Sequence, residues 1–159
     1  MNILQVMLLL LLVGNVQAQE PQQNAAEVDQ AVQNAMIAFK QGAYHQALDH
    51  LQKLNSNQRQ ALSVLYWSGA AEQKLQRFDR AAIYLRMVLD KDFPNQYPDA
   101  AYLLGQSYYA MQDFNHAQWA FQKSIEKKYK IAASNYYLGY CAKINKQDKR
   151  ALEKFQKVI

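Results

Sequence analysis

One spacing constrains this chain more than any other property. Ala47, Ala81, Ala117 and Ala151 stand 34, 36 and 34 residues apart, and similar neighbours surround them. The surroundings are most complete in residues 98–131, where Leu104-Gly105 is followed by Tyr108 and, after a short polar break, by Phe114, Ala117 and Phe121. The apolar period on each side of the break is that of an amphipathic helix. A helix–turn–helix unit of ~34 residues written several times predicts stacked pairs, because one pair has more apolar surface than it can bury alone.

The first unit carries Val32, Ala35, Met36 and Phe39 at i, i+3, i+4 and i+7, then Gln41-Gly42 as its turn, then Tyr44, Ala47, Leu48 and Leu51. The second has Leu62, Leu65, Gly69 and Ala70, a turn at Gln76-Arg77, and Phe78, Ala81, Leu85 and Val88. Pro94 and Pro98, four apart, predict a loop after it, which absorbs the two extra residues of the longer interval. Pro98 is expected in the first turn of the next helix, where its missing N–H costs nothing. The fourth unit has Leu138-Gly139, Ala151 and Phe155, with Asp148 where the other units have Tyr44, Phe78 and Phe114. Turns are therefore expected near Gly42, Arg77, Asp113 and Gln147. Gly69, Gly105 and Gly139 are expected where the two helices of a unit come closest, since a side chain there would hold them apart.

Leu-Gly-x-x-Tyr followed by Ala-x-x-x-Phe resembles the tetratricopeptide repeat (TPR) family, of the exported type, over almost everything after residue 27. The resemblance implies an all-α fold, a right-handed α-solenoid of stacked helix–turn–helix pairs, with units at about 28–61, 62–97, 98–131 and 132–159. It also implies a protein that binds other proteins and is not an enzyme. The first unit departs most from the pattern, with Asn34-Ala35 for Leu-Gly and Ala38 for the tyrosine, as a solvent-facing terminal unit would. Phe155, Val158 and Ile159 have no polar capping helix after them. Solenoids need such caps, so the last unit is expected to be truncated, or to self-associate through this apolar ridge.

Residues 1–18 differ from the rest. Met7 to Val13 is an unbroken apolar run, and Val16-Gln17-Ala18 supplies small residues where a signal peptidase reads them. The run is too short for the ~20 residues that span a bilayer, so a cleaved secretory signal is expected, followed by a flexible Gln/Asn/Ala-rich leader over 19–27. No lysine or arginine precedes the run, which leaves an uncleaved anchor as the alternative. Export predicts a periplasmic or secreted protein, and the absence of any Asn-x-Ser/Thr sequon favours a bacterial periplasm. Cys141, the one cysteine, has no partner for a disulfide within the chain, so stability must come from apolar packing.

The net charge of +5 is unevenly placed. Residues 19–126 hold nine Lys/Arg and eleven Asp/Glu, while residues 127–159 hold nine Lys/Arg against Asp148 and Glu153 alone. A basic end suits an acidic partner or anionic surface, or serves as a solvated lysine face. Membrane contact is expected only there or through an uncleaved signal. Export disfavours nucleic acid as a partner.

No catalytic, cofactor or metal-binding pattern is present. His45 and His50 are five apart, which does not set two imidazoles on one helix face, and His116 stands alone. The constellation that remains is tyrosine. The resemblance implies that first helices line a concave face. Three residues before each glycine stand Tyr66, Tyr102 and Tyr136, and one turn further come Ala70, Gln106 and Tyr140, then Gln73, Tyr109 and Lys143. Tyr66, Tyr102, Gln106, Tyr109, Tyr136 and Tyr140 are thus the candidate ligand-binding residues, since phenols pair a large apolar body with a polar tip. The lysine and asparagines with which some TPR domains clamp a carboxylate are replaced here by Val32, Met36, Tyr66, Ala70, Tyr102 and Gln106. The expected role is a scaffold of the bacterial envelope holding a peptide or helix of a partner in this groove. The alternative is a structural subunit contacting its neighbours through its end faces.

Overall fold

The computed structural model describes residues 23–158, and no strand occurs among them. The predicted signal over 1–18 lies outside these residues. Residues 23–40 form α1, followed by α2 (Tyr44–Gln52), a 3₁₀ turn (Gln58–Gln60), α3 (Leu62–Lys74), α4 (Phe78–Lys91), α5 (Ala100–Ala110), α6 (Phe114–Glu126), α7 (Ile131–Ile144) and α8 (Asp148–Gln156). Each helix packs on the next, so the four pairs are stacked as well as paired. The fold is an α-solenoid.

Two boundaries differ from those expected. Helix α1 is already formed at residue 23, within the stretch expected to be a flexible leader. Gln and Ala are good helix formers, and the Gln58 amide ties this turn down by donating to Glu27 Oε2 at 2.8 Å and to Asn24 Oδ1 at 3.3 Å. Helix α5 begins at Ala100, so Pro98 lies in the turn before the helix and not in its first turn.

The glycine contacts are close. A Cβ on Gly69 would stand 2.8 Å from Leu85 Cγ, one on Gly105 2.7 Å from the Phe121 ring, and one on Gly139 2.5 Å from the Phe155 ring. The alanines close the same seam from the other helix, since Ala81 and Ala117 are fully buried and Ala47 and Ala151 nearly so.

Within each pair the first helix ends on one residue of left-handed backbone. Gly42, Gln76, Gln112 and Lys146 have φ of 77°, 59°, 61° and 56°, at the same 34, 36 and 34 intervals as the alanines. The residue after each donates its N–H five residues back, as Arg77 does to the Glu72 carbonyl and Asp113 to the Tyr108 carbonyl, both at 2.9 Å. This double-bonded cap satisfies the carbonyls left over at a helix end. The long loop after α4 is ordered by Asp92, whose buried carboxylate accepts the N–H of Gln96 at 2.8 Å and of Tyr97 at 2.9 Å.

Candidate functional site

Helices α3, α5 and α7 carry the six candidate residues, and the chain divides them into three kinds. Tyr66 is buried: its ring stacks on Tyr97 at 4.0 Å between centroids, and its hydroxyl donates to Asp99 Oδ2 at 2.7 Å. Tyr102, Gln106 and Tyr109 are half-buried. Gln106 Oε1 accepts from the Gln73 amide at 3.1 Å, joining α3 to α5 along their length. Tyr136 and Tyr140 are 45% and 38% exposed and meet each other edge to face at 4.8 Å.

Tyr102 and Tyr109 belong to one aromatic cluster. Tyr137 stacks flat on Phe121 at 4.7 Å and takes the edges of Tyr102 at 6.2 Å and Tyr109 at 5.1 Å. Tyr129, in the turn between α6 and α7, reaches Tyr102 at 6.1 Å. Such edge-to-face pairs set the negative face of one ring against the positive edge of another, which holds the rings in defined orientations. The strip is therefore preorganised on its α3–α5 side and more exposed on α7.

Three residues complete this surface that sequence reasoning did not single out: Tyr97, Asp99 and Tyr129. Tyr97 and Asp99 precede α5 and Tyr129 precedes α7, so helical periodicity says nothing about where they point. The available signal was a tyrosine shortly before two successive first helices. Burial, and then the Asp99 carboxylate as hydrogen-bond and charge partner, pushes the Tyr66 phenol well up from its usual range. Burial followed by the charges of Asp92 and Asp99 raises Tyr97, and burial followed by Asp99 raises Tyr129. The Tyr140 hydroxyl, 3.4 Å away, raises Tyr136. These phenols stay protonated at neutral pH and act as uncharged donors and apolar faces.

Glu72 is a second residue that the sequence did not flag. It stands where Tyr108 stands one unit later, is buried, and is met by Arg77 at 3.4 Å and Arg80 at 3.7 Å. In unit three the same place holds Tyr108 packed on the His116 ring, which is itself bonded to Asp113 Oδ2 at 2.7 Å. Both arrangements tie the end of a first helix to the start of the second. Cys141 is fully buried, and burial pushes its thiol up to about 11, so at neutral pH it is a protonated apolar filler.

Helix pairs, glycine seams and left-handed turns at this interval are the pattern of one repeat family, and a family model described as tetratricopeptide repeat matches residues 63–95, the α3–α4 pair and the start of its loop. The α3–α4 pair is a tetratricopeptide repeat, and the other three pairs share its left-handed turn. Solved TPR structures of MamA share the fold. One superposes with a TM-score of 0.74 at 21% identity, covering 82% of this chain and 75% of that one. A second MamA structure gives 0.74 at 20% identity over 87% and 74%, and MamA from AMB-1 gives 0.74 at 18% over 82% and 70%. Identity this low carries the fold alone. No curated protein matches the sequence. As a TPR fold, the chain is a protein-interaction scaffold in general terms.

Proposed function

We propose that this scaffold works in the bacterial envelope, exported by its N-terminal signal, and holds a peptide or helix of a partner protein against the tyrosine strip of α3, α5 and α7. The observation that carries the reading is the Tyr136–Tyr140 pair, two large aromatic side chains left 45% and 38% exposed beside rings already fixed in orientation. A partner covering those rings gains ~25 cal/mol per Å² of apolar area buried, while their hydroxyls set register. The buried Tyr66 serves this surface as a fixed support, and Tyr102, Gln106 and Tyr109 as its half-exposed floor.

The test is a pull-down from envelope extract with wild type and with Tyr136→Ala/Tyr140→Ala. Loss of the captured protein in the double variant supports the strip as the docking surface. Mass spectrometry of the envelope-borne protein checks the export reading, which expects residues 1–18 to be absent.

A second reading rests on the apolar residues of unit four outside the strip, where Ile131, Ile144 and Leu152 are 47%, 47% and 61% exposed. This is the surface through which the chain would self-associate or contact a neighbouring subunit of an envelope assembly. Sedimentation over protein and salt concentration tests it: added salt should strengthen a symmetric contact by screening the lysines that meet across it. Retention of the partner by Tyr136→Ala/Tyr140→Ala would favour this end face over the strip.

A further inference from the structure

Among the described residues, four acids are buried or half-buried: Glu72, Asp92, Asp99 and Asp113. Three are answered by the protein. Glu72 meets two arginines, Asp92 accepts two backbone N–H groups, and Asp113 bonds the ring and the backbone of His116. Asp99 is different. Its Oδ2 accepts one phenol, its Oδ1 accepts no hydrogen bond, and no lysine or arginine pairs with it among the described residues.

Asp99 is the N-cap residue of α5 but its side chain bonds none of the helix N–H groups, so Oδ1 is left to solvent or to a positive group brought by a ligand. What surrounds this carboxylate is aromatic. The Tyr66–Tyr97 stack, inclined by only 16°, stands beside it, held there by the Tyr66 hydroxyl, and Tyr129 lies near enough on the next turn of the solenoid for the Asp99 charge to raise its phenol. Aromatic faces carry negative potential, so a carboxylate with phenol faces attracts one class of group: an ammonium or guanidinium on an apolar stem. The stem packs on the rings while the head reaches Oδ1.

We propose that Asp99, with Tyr66, Tyr97 and Tyr129 around it, is a subsite that takes a lysine or arginine side chain of the bound partner segment. The subsite rests on the groove reading above and adds a chemical requirement to it. The exposed Tyr136–Tyr140 pair takes the apolar part of the partner, and Asp99 fixes its register through one charge. The arrangement differs in kind from a clamp on a terminal carboxylate, because the recognised charge is positive.

The experiment selects binders to the whole protein from a random peptide library displayed on phage, then synthesises the recovered sequences. The expected result is a lysine or arginine at fixed spacing from an apolar residue. Acetylating that lysine, or replacing the arginine by norleucine, should weaken binding about tenfold, the size of one modest charge-assisted contact. Asp99→Asn should weaken the unmodified peptide about tenfold and the neutral peptide hardly at all, the coupling expected of a direct pair. The amide oxygen of the Asp99→Asn side chain can still accept the Tyr66 hydroxyl, and if this variant folds poorly the neutral peptides on wild type decide alone. Peptides that are lost on Tyr136→Ala/Tyr140→Ala but carry no basic preference and bind Asp99→Asn equally would overturn the subsite and leave the groove standing. Peptides that survive Tyr136→Ala/Tyr140→Ala and bind Asp99→Asn equally would overturn both.

Discussion

Units three and four repeat one contact, a glycine on the first helix against a phenylalanine on the second, and they bury it to different depths. Phe121 is fully buried, with Tyr137 of the next unit stacked on its ring and Tyr102 at its edge. Phe155 meets Tyr140 at 5.3 Å and Tyr136 at 6.3 Å and stays half-buried, and α8 buries Ala151 alone where α6 buries Ala117, Ala120, Phe121 and Ser124. The tie across the turn differs as well. Tyr108 packs on His116 in unit three, whereas unit four has Ala142 and Arg150 at those places. Asp148 stands exposed where Phe114 packs on Tyr109. The same motif thus gives a fixed body and a looser edge, because in a stacked array stability is a sum over neighbouring interfaces and not a property of one unit.

The largest expected difference is in the phenylalanines themselves. Phe121→Ala should cost ~3–5 kcal/mol, since the cavity it leaves is enclosed between units three and four. Phe155→Ala should cost well under half as much, because solvent already reaches the site. Chemical denaturation of the two variants checks the ratio. Equal losses would mean that α8 is as firmly held as α6, and the contrast drawn above would fail.

Overpacking the seam comes next. Gly105→Leu places atoms where the Phe121 ring stands 2.7 Å from the first new carbon, and Phe121 has no free space to enter. A cooperative loss of ~1–3 kcal/mol or more is expected. Gly139→Leu meets Phe155 at 2.5 Å, a closer approach, yet should cost less because that ring can swing outward. A thermal melt of Gly105→Leu matching wild type would remove Gly105 from the tight contact.

These contrasts were partly legible in the residues. The Ala interval, Gly69, Gly105 and Gly139, and the aromatics beside the turns fixed the fold, because repeat packing is local and every unit restates it. Asp148 in place of an aromatic already marked unit four as different. The site was less legible. Tyr66 and Tyr140 occupy the same strip in the helical frame, but one is buried and the other exposed, since burial is decided by Tyr97 and Asp99, which lie outside the repeat pattern. Glu72 was hidden for the opposite reason: it occupies a position that the repeat keeps apolar or aromatic, and only the structure shows Arg77 and Arg80 reaching it.

Alkaline pH should act on the two regions in turn. Burial raises the Cys141 thiol of unit four from 9.0 to about 11, and burial with Asp99 raises the Tyr66 phenol of unit two from 10.0. In both cases the folded chain holds a proton that the unfolded chain releases, so stability is full below the unfolded pKa and falls as pH rises past it. Each group contributes a slope of ~1.4 kcal/mol per pH unit at most while it is protonated folded and ionised unfolded. Urea midpoints should therefore begin to fall near pH 9, and more steeply above pH 10. Cys141→Ala should flatten the first part and Tyr66→Phe the second. A midpoint independent of pH up to 11 would mean that neither group is as enclosed as described.

The smallest expected effect uses the left-handed turns. Gln112 and Lys146 hold φ of 61° and 56°, which crowds Cβ against the backbone and costs ~1–2 kcal/mol that glycine does not incur. Glycine loses more entropy on folding, so Gln112→Gly and Lys146→Gly should each gain a net ~0.5–1 kcal/mol. Gly42 is the natural control: a Cβ there meets nothing within 4 Å, so Gly42→Ala isolates the backbone cost and should destabilise by a similar amount. The gain at Gln112 lies within the fixed body and should raise the global melting temperature. The gain at Lys146 lies at the looser edge, so it should appear chiefly as slower amide exchange in α8, with little change in the global transition. If both substitutions raised the melting temperature equally, unit four would unfold together with the rest, and the edge would be part of the body after all.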